Sequence, residues 1–216
     1  MKINGYNLVI FDCDGVILNS NRIKTNAFYE TALSFGANEE QAMALSEYHT
    51  MFGGVSRYKK FEFFLTNIMG INASVNLIDK LSSNFSKKIK DDLLKCEISP
   101  FLLSLRRKNT DANWMIVSGG NQEELRQLFE SLGIAILFNA GIFGSPDSKE
   151  VIMLRELKNQ SPESILYIGD SIYDHKVSIM MGIDFVFLSE WTEAKNWEEY
   201  CQKNSVECLE NLGCLI

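Results

Sequence analysis

The chain has 216 residues, 46% of them hydrophobic, which suits one sizeable domain, or a domain carrying a smaller insertion, and excludes a disordered or fibrous protein. A net charge of −7 without a Lys/Arg stripe argues against nucleic-acid binding, because nothing is there to displace counterions from a phosphate backbone. No run approaches the ~20 apolar residues that span a bilayer, and Asp12 and Asp14 interrupt the N-terminal apolar stretch where a signal peptide needs hydrophobicity. The expectation is a cytoplasmic protein with no membrane partner.

Five cysteines (Cys13, Cys96, Cys201, Cys208, Cys214) form no Cys-x-x-Cys pair, and His49 and His175 are the only histidines. Neither a disulfide framework nor a structural zinc site is expected, and most of the thiols read as small buried side chains.

The first element is the apolar run Leu8-Val9-Ile10-Phe11, which reads as a buried strand and ends in Asp12-Cys13-Asp14-Gly15. Carboxylates two positions apart on a strand point the same way. Their repulsion is tolerable where a cation binds between them or one carboxyl keeps its proton. Gly15 lets the backbone approach a ligand closely. The segment reads as a carboxylate nucleophile beside a carboxyl acid/base in a metal-binding site. Asp-x-Asp-Gly also occurs in calcium loops and plain turns, but Val16-Ile17-Leu18 follow where a calcium loop needs oxygen ligands.

Roughly a hundred residues separate this strand from the next, too many for one crossover. Apolar residues recur there at helical spacing (Phe28/Leu33, Phe61/Phe64/Leu65/Ile68, Leu77/Leu81/Phe85/Ile89), broken at Gly36, Gly53-Gly54 and Gly70. The spacing predicts a helical cap over 19–92 inserted into a core of 1–18 and 93–216. Phe61, Phe63 and Phe64 read as cap core, and Lys59 and Lys60 as solvated side chains.

Further buried strands are predicted at 114–117, 165–168 and 185–188, with a weaker one near 135–138; alternation with helices makes this an α/β, doubly wound parallel sheet. Sites in such sheets lie at the carboxyl ends of strands. There stand Ser118-Gly119-Gly120 before a helix over 121–131, and Gly169-Asp170-Ser171-Ile172-Tyr173-Asp174 at another helix start. The first suits a phosphate oxygen as well as an ordinary cap. In the second, Asp170 reads either as a cap or, with Asp174, as an acidic element facing Asp12 and Asp14 and holding Mg²⁺. Lys149 opens a helix over 149–158, where a cation opposes the dipole unless an anion offsets it; a solvated surface lysine is the plain alternative. Trp191, Trp197 and Tyr200 read as packing of a last helix onto the sheet rather than as a partner surface.

Taken in order, FDCDGV, IVSGG, GSPDSK and GDSIYD resemble the four motifs of the haloacid dehalogenase superfamily of phosphohydrolases, and the helical insertion resembles the cap of its phosphoglycolate phosphatase and β-phosphoglucomutase branch. The resemblance implies Asp12 as nucleophile, Asp14 as acid/base, and Ser118 and Lys149, with the Gly119 backbone and the close approach allowed by Gly15, binding the phosphoryl group. It implies Mg²⁺ held by Asp12, the Asp14 backbone carbonyl and Asp170, with Asp174 acting through water or orienting the shell. Gly53-Gly54-Val55-Ser56-Arg57 resembles a cap loop that reaches the substrate in the mutases; Arg57 reads as a clamp on the leaving group or as an exposed arginine opening a helix.

The expected activity is Mg²⁺-dependent hydrolysis of a small phosphorylated metabolite, a sugar phosphate among the candidates, through an aspartyl phosphate. The alternatives are a phosphomutase, whose branch usually carries a cap-proximal histidine absent from residues 21–26, and a catalytically idle binding protein. Two departures from the family pattern, Asn19-Ser20 for Asp-Ser and Glu150 for the proline after the lysine, remove no catalytic group but set the chain apart from phosphoglycolate phosphatase itself.

Overall fold

The computed structural model describes residue 3 and residues 5–216. Its centre is strand β1 (Leu8–Phe11), whose four residues are all buried because the sheet is covered on both sides. Alternation sends Val9 and Phe11 into one apolar layer with Trp114, Leu125 and Phe129. Leu8 and Ile10 enter the opposite layer with Ile152, Tyr167 and Val177.

The other strands are β2 (Asn113–Asn121), β3 (Gly141–Ser145), β4 (Ile165–Gly169), β5 (Asp184–Leu188) and β6 (Glu207–Leu209). They pair in the order β3-β2-β1-β4-β5-β6, parallel throughout. Chain direction reverses its progress across the sheet between β1 and its neighbours, the crevice where open α/β sheets bind ligands. Register fixes the site: Phe11 lies opposite Ile116 and Ile168, so Asp12 emerges beside the ends of β2 and β4.

Two sequence expectations change here. The apolar stretch 135–138 is not a strand: Ala135–Leu137 is a 3₁₀ turn with Ile136 exposed, and the strand is the glycine-bearing Gly141–Ser145. Two cysteines, Cys13 and Cys201, are buried, while Cys96 is half-buried and Cys208 and Cys214 are exposed, so most of the thiols are not interior.

After β1 the chain forms α1 (Asn21–Phe35), α2 (Glu39–Met51), α3 (Arg57–Phe63) with a π-helical turn over Phe64–Ile68, and α4 (Val75–Leu93). They bury a third apolar cluster of their own around Phe28, Leu45, Phe61, Phe64, Leu81 and Phe85. Phe63 leaves that cluster's centre and stacks on Tyr48, with centroids 3.7 Å apart. The core then continues through α5 (Leu102–Lys108), α6 (Gln122–Ser131), α7 (Lys149–Glu156), α8 (Ile172–Met181) and α9 (Trp197–Asn204). Trp197 stacks on Phe187 of β5, and Tyr200 bonds His175 of α8 at 3.0 Å, so these aromatics pack α9 against the sheet. No helix among the described residues is long and apolar enough to cross a membrane.

Candidate active site

Asp12 follows directly from β1. Its N–H donates to Ile168 O at 2.9 Å, which extends the ladder by one bond, and its Oδ1 accepts from the Cys13 N–H at 2.7 Å. Lys149 reaches Asp12 Oδ2 at 2.9 Å and Asp174 Oδ1 at 2.6 Å. The ammonium is 1% exposed, so the solvated alternative for Lys149 fails, and the anion that its helix start called for is this carboxylate pair. Burial works against the ammonium, but Asp12 and Asp174 outweigh it and hold Lys149 well above the usual lysine value.

The carboxylates experience the opposite balance. Burial raises Asp12 to about 7 against the pull of Lys149, and Asp174 and Asp14 add repulsion. Asp170 is pushed well above its usual value by burial and by the charges of Asp12 and Asp174. One ligand oxygen from each of Asp12, Asp170 and Asp174 lies within 4.8 Å of the others. Three buried carboxylates around a single ammonium are short of positive charge, and oxygen donors so arranged suit a hard divalent cation such as Mg²⁺. Asp174 is already committed: its Oδ1 accepts from Lys149 and Tyr167, and its Oδ2 from Ser171 Oγ at 2.7 Å. That leaves it better suited to orienting the site than to direct ligation.

Ser171, not Asp170, caps α8, in a capping box with Asp174. Asp170 is therefore free of that structural duty and accepts from Asn21 Nδ2 at 2.7 Å. Gly15 has φ +74°, and a Cβ there would sit 2.0 Å from Asp170 Oδ2, so both backbone conformation and space demand glycine.

Asp14 is held away from the three-carboxylate cluster. Its Oδ1 accepts from Ser20 Oγ and its Oδ2 from Lys24 Nζ, each at 2.5 Å. Burial alone would raise Asp14, but Lys24 and Ser20 prevail and its carboxyl lies below the usual value. Any metal contact from residue 14 therefore falls to its backbone, as the family pattern implies. Lys24 escaped the sequence reading, although a signal exists: Asn21 and Lys24 stand at i and i+3 on the first turn of α1, one bonding Asp170 and the other Asp14.

Ser118 is fully buried within β2, which runs on through Gly119 and Gly120 with a register shift before Asn121. The helix expected over 121–131 forms as Gln122–Ser131, capped by Asn121 rather than Ser118, whose Oγ accepts from the Gly120 N–H at 3.1 Å. Gly119 lies against the cap: a Cβ there would meet Gly54 O at 2.3 Å. The cap loop thus closes backbone to backbone on the strand ends.

Between them lies a chamber of about 60 Å³ whose lining includes Asp12, Asp14, Lys24, Gly119 and Asp170 from below and around, and Arg57, Lys60 and His49 from the cap. Arg57 is buried, so the exposed-arginine reading fails; its guanidinium makes a paired contact with Glu124 (Nη2 to Oε2 2.7 Å, Nη1 to Oε1 3.2 Å) and donates to Ser86 Oγ at 2.6 Å. Lys60 also departs from expectation. It is 2% exposed rather than solvated, and its Nζ lies 2.7 Å from His49 Nδ1. The signal was its phase: Arg57, Lys60, Phe61 and Phe64 share the buried stripe of this helix.

Comparison with known proteins agrees with this geometry. The family model described as haloacid dehalogenase-like hydrolase matches residues 9–188. Compared with the curated proteins, the chain has no match. Among solved structures, a predicted phosphatase from Clostridium acetobutylicum superposes with a TM-score of 0.76 at 16% identity, covering 97% of this chain and 96% of that one. A phosphonoacetaldehyde hydrolase-like protein from Oleispira antarctica gives 0.76 at 12% identity, covering 100% and 91%. A predicted phosphoglycolate phosphatase from Haemophilus somnus gives 0.67 at 16% identity, covering 89% of each chain. These structures share the fold of an α/β core with an inserted helical cap. The chain belongs to the haloacid dehalogenase-like hydrolase family.

Proposed function

We propose that this hydrolase cleaves a small phosphate monoester through an aspartyl phosphate on Asp12, with Mg²⁺ as cofactor and residues 19–92 acting as the cap. The observation that carries this reading is the Asp12–Lys149–Asp174 bridge at the strand ends, with Asp12 lining the chamber between core and cap. A buried carboxylate with an ammonium 2.9 Å from one oxygen is oriented for attack on a phosphorus atom that the same ammonium attracts. Gly119 lines the chamber together with Asp12, Ser118 precedes it on β2, and the family pattern gives both to phosphoryl binding. Asp12, Asp170 and the residue-14 carbonyl would hold Mg²⁺, which neutralises charge on the transferring phosphoryl group.

The acid/base role falls on the Asp14–Lys24 pair rather than on a lone protonated carboxyl. With Lys24 Nζ 2.5 Å from Asp14 Oδ2, a proton passed from Asp14 to the leaving oxygen is one supplied by Lys24. In the second half-reaction the ionised Asp14 takes a proton from the attacking water and returns it to Lys24, which restores the starting pair. The docked cap excludes bulk water meanwhile.

The phosphomutase alternative gains nothing from the cap. Lys24 fills the place on α1 facing Asp14, and His49, which does reach the chamber, bonds Lys60 instead.

The test is phosphate release from a panel of monoesters in Mg²⁺ and in chelator, beside Asp12→Asn. Metal-dependent release that drops by at least about 10³-fold in the variant is expected. Release equal in both proteins, or silence over the whole panel, overturns the reading.

A further inference from the structure

The last two elements of the core carry a pair of thiols that the proposed hydrolysis does not use. Cys201 lies on α9 and is buried, whereas Cys208 lies in the edge strand β6 and is exposed. Neither lines the chamber. The turn between them folds the chain back on itself: Ser205 ends α9 with a left-handed φ of 53°, and the Val206 N–H then donates to Cys201 O at 2.9 Å.

Strand register decides which way Cys208 points. Leu209 lies opposite Leu188, and both belong to the apolar layer that holds Phe11 and Trp114. Cys208 lies opposite Phe187, which belongs to the other layer together with Cys201 and Val206 and stacks on Trp197 of α9. Alternation therefore turns Cys208 towards α9. The two thiols meet there, and burial, followed by the hydrogen bond to Cys208, pushes Cys201 up to about 12. The other cysteines stand elsewhere. Cys13 and Cys96 belong to the opposite layer, and the turn bearing Cys214 is anchored in that layer by Leu212 and Leu215.

We propose that Cys201 and Cys208 form a modification site, a dithiol that low-molecular-weight disulfides convert reversibly into a disulfide stapling α9 to β6. The exposed Cys208 reacts first. It gives its proton to solvent, and its thiolate attacks one sulfur of the small disulfide, so that a bond to Cys208 Sγ forms, the S–S bond breaks and the departing thiolate takes up a proton. Cys201, shielded and protonated until then, loses its proton to solvent and attacks Cys208 Sγ, expelling the second small thiol. The two protein thiols are oxidised by two electrons and the small disulfide is reduced to two thiols. The staple suits these elements: β6 has three residues and a neighbour on one side only, and α9 is bounded by non-glycine residues with left-handed backbone, Asn196 and Ser205. Cys208 remains the sulfur that a reductant reaches, which makes the bond reversible.

The experiment incubates the reduced full chain with oxidised glutathione, blocks the remaining thiols and digests with trypsin, which cuts after Lys195 and Lys203 and so separates the two cysteines. Mass spectrometry should find peptides 196–203 and 204–216 joined in wild type and in Cys214→Ser, and unjoined in Cys208→Ser or after a thiol reductant. The melting temperature should rise by several degrees on oxidation of wild type and Cys214→Ser, and stay unchanged in Cys208→Ser, whose exposed position tolerates serine. Cys208 that stops at the mixed disulfide with glutathione, a link that is lost in Cys214→Ser, or a joined protein that melts no higher than the reduced one overturns the proposal.

Discussion

Two buried lysines, one in the α/β core and one in the cap, show how neighbours, not burial, decide what a charge does. Lys149 on the core side is 1% exposed and Lys60 on the cap side is 2% exposed. Lys149 sits between two carboxylates and is held well above the usual lysine value. Lys60 faces the His49 imidazole, which burial and Lys60 itself keep neutral; burial and the more distant Lys24 lower Lys60 to about 7. The first is part of the folded framework. The second feels carboxylates only at a distance, Asp14 and Asp12, whose pull does not offset its burial.

Replacing each lysine by methionine is the most direct way to break that comparison. Lys149→Met should be the more damaging change: it leaves Asp12 and Asp174 buried together without their cation, for a loss of about 3–5 kcal/mol by denaturant unfolding. If Lys149 clamps the phosphoryl group as proposed, hydrolytic activity should fall with it by about 10² or more. Wild-type stability in Lys149→Met would show that the bridge contributes only to chemistry.

Lys60→Met should move stability the other way. At neutral pH the variant should be more stable than wild type by about 1–3 kcal/mol, because methionine keeps the apolar stem and removes an unpaired ammonium. The pH dependence has a definite sign. Lys60 titrates at about 7 in the folded chain and at 10.5 when unfolded, so the unfolded chain binds more protons between those values. Wild-type stability therefore rises with pH across that window relative to the variant, and the difference should shrink towards pH 10.5. Parallel curves from pH 7 to 10.5 would mean that Lys60 is already satisfied in the folded state.

The same contrast explains what was legible in the sequence. Strands 8–11, 165–168 and 185–188 announce themselves because residues buried on both faces must be apolar throughout. The two strands that escaped, Gly141–Ser145 and Glu207–Leu209, are the edges of the sheet, where glycine and half-exposed polar residues are allowed and the apolar signal fades. The carboxylates of the site were readable from their places after strands. Lys24 and Lys60 escaped, because a lysine carries the same letter whether it solvates a helix or lines a chamber, and their only signals, the spacing from Asn21 and the phase with Phe61 and Phe64, are weak until packing shows which face is buried. Arg57 was readable as a cap residue near the site, but not its partner Glu124, which lies 67 positions away.

Arg57–Glu124 gives the smallest effect and the finest test of how the two halves cooperate. The guanidinium comes from the cap helix α3, lies over the Phe85 ring at 4.9 Å and shares Glu124 with Ser86 of α4, whereas Glu124 belongs to core helix α6. Its geometry is that of a paired arginine contact, yet the Glu124 side chain is 41% exposed, so solvent screens much of the attraction. Glu124→Gln keeps the shape and removes the charge, which should cost about 1 kcal/mol or less in global stability. The larger consequence should fall on cap docking, because the lost charge belongs to a contact that exists only while α3 rests on α6. Limited proteolysis at the cap junctions near residues 19 and 93 should therefore accelerate several-fold in the variant while the melting temperature moves little. Unchanged cleavage would assign docking to the backbone contact of Gly54 on Gly119 and to the Tyr58–Asn121 bond at 3.0 Å, and would leave Arg57 as a group that can turn to the substrate when the cap lifts.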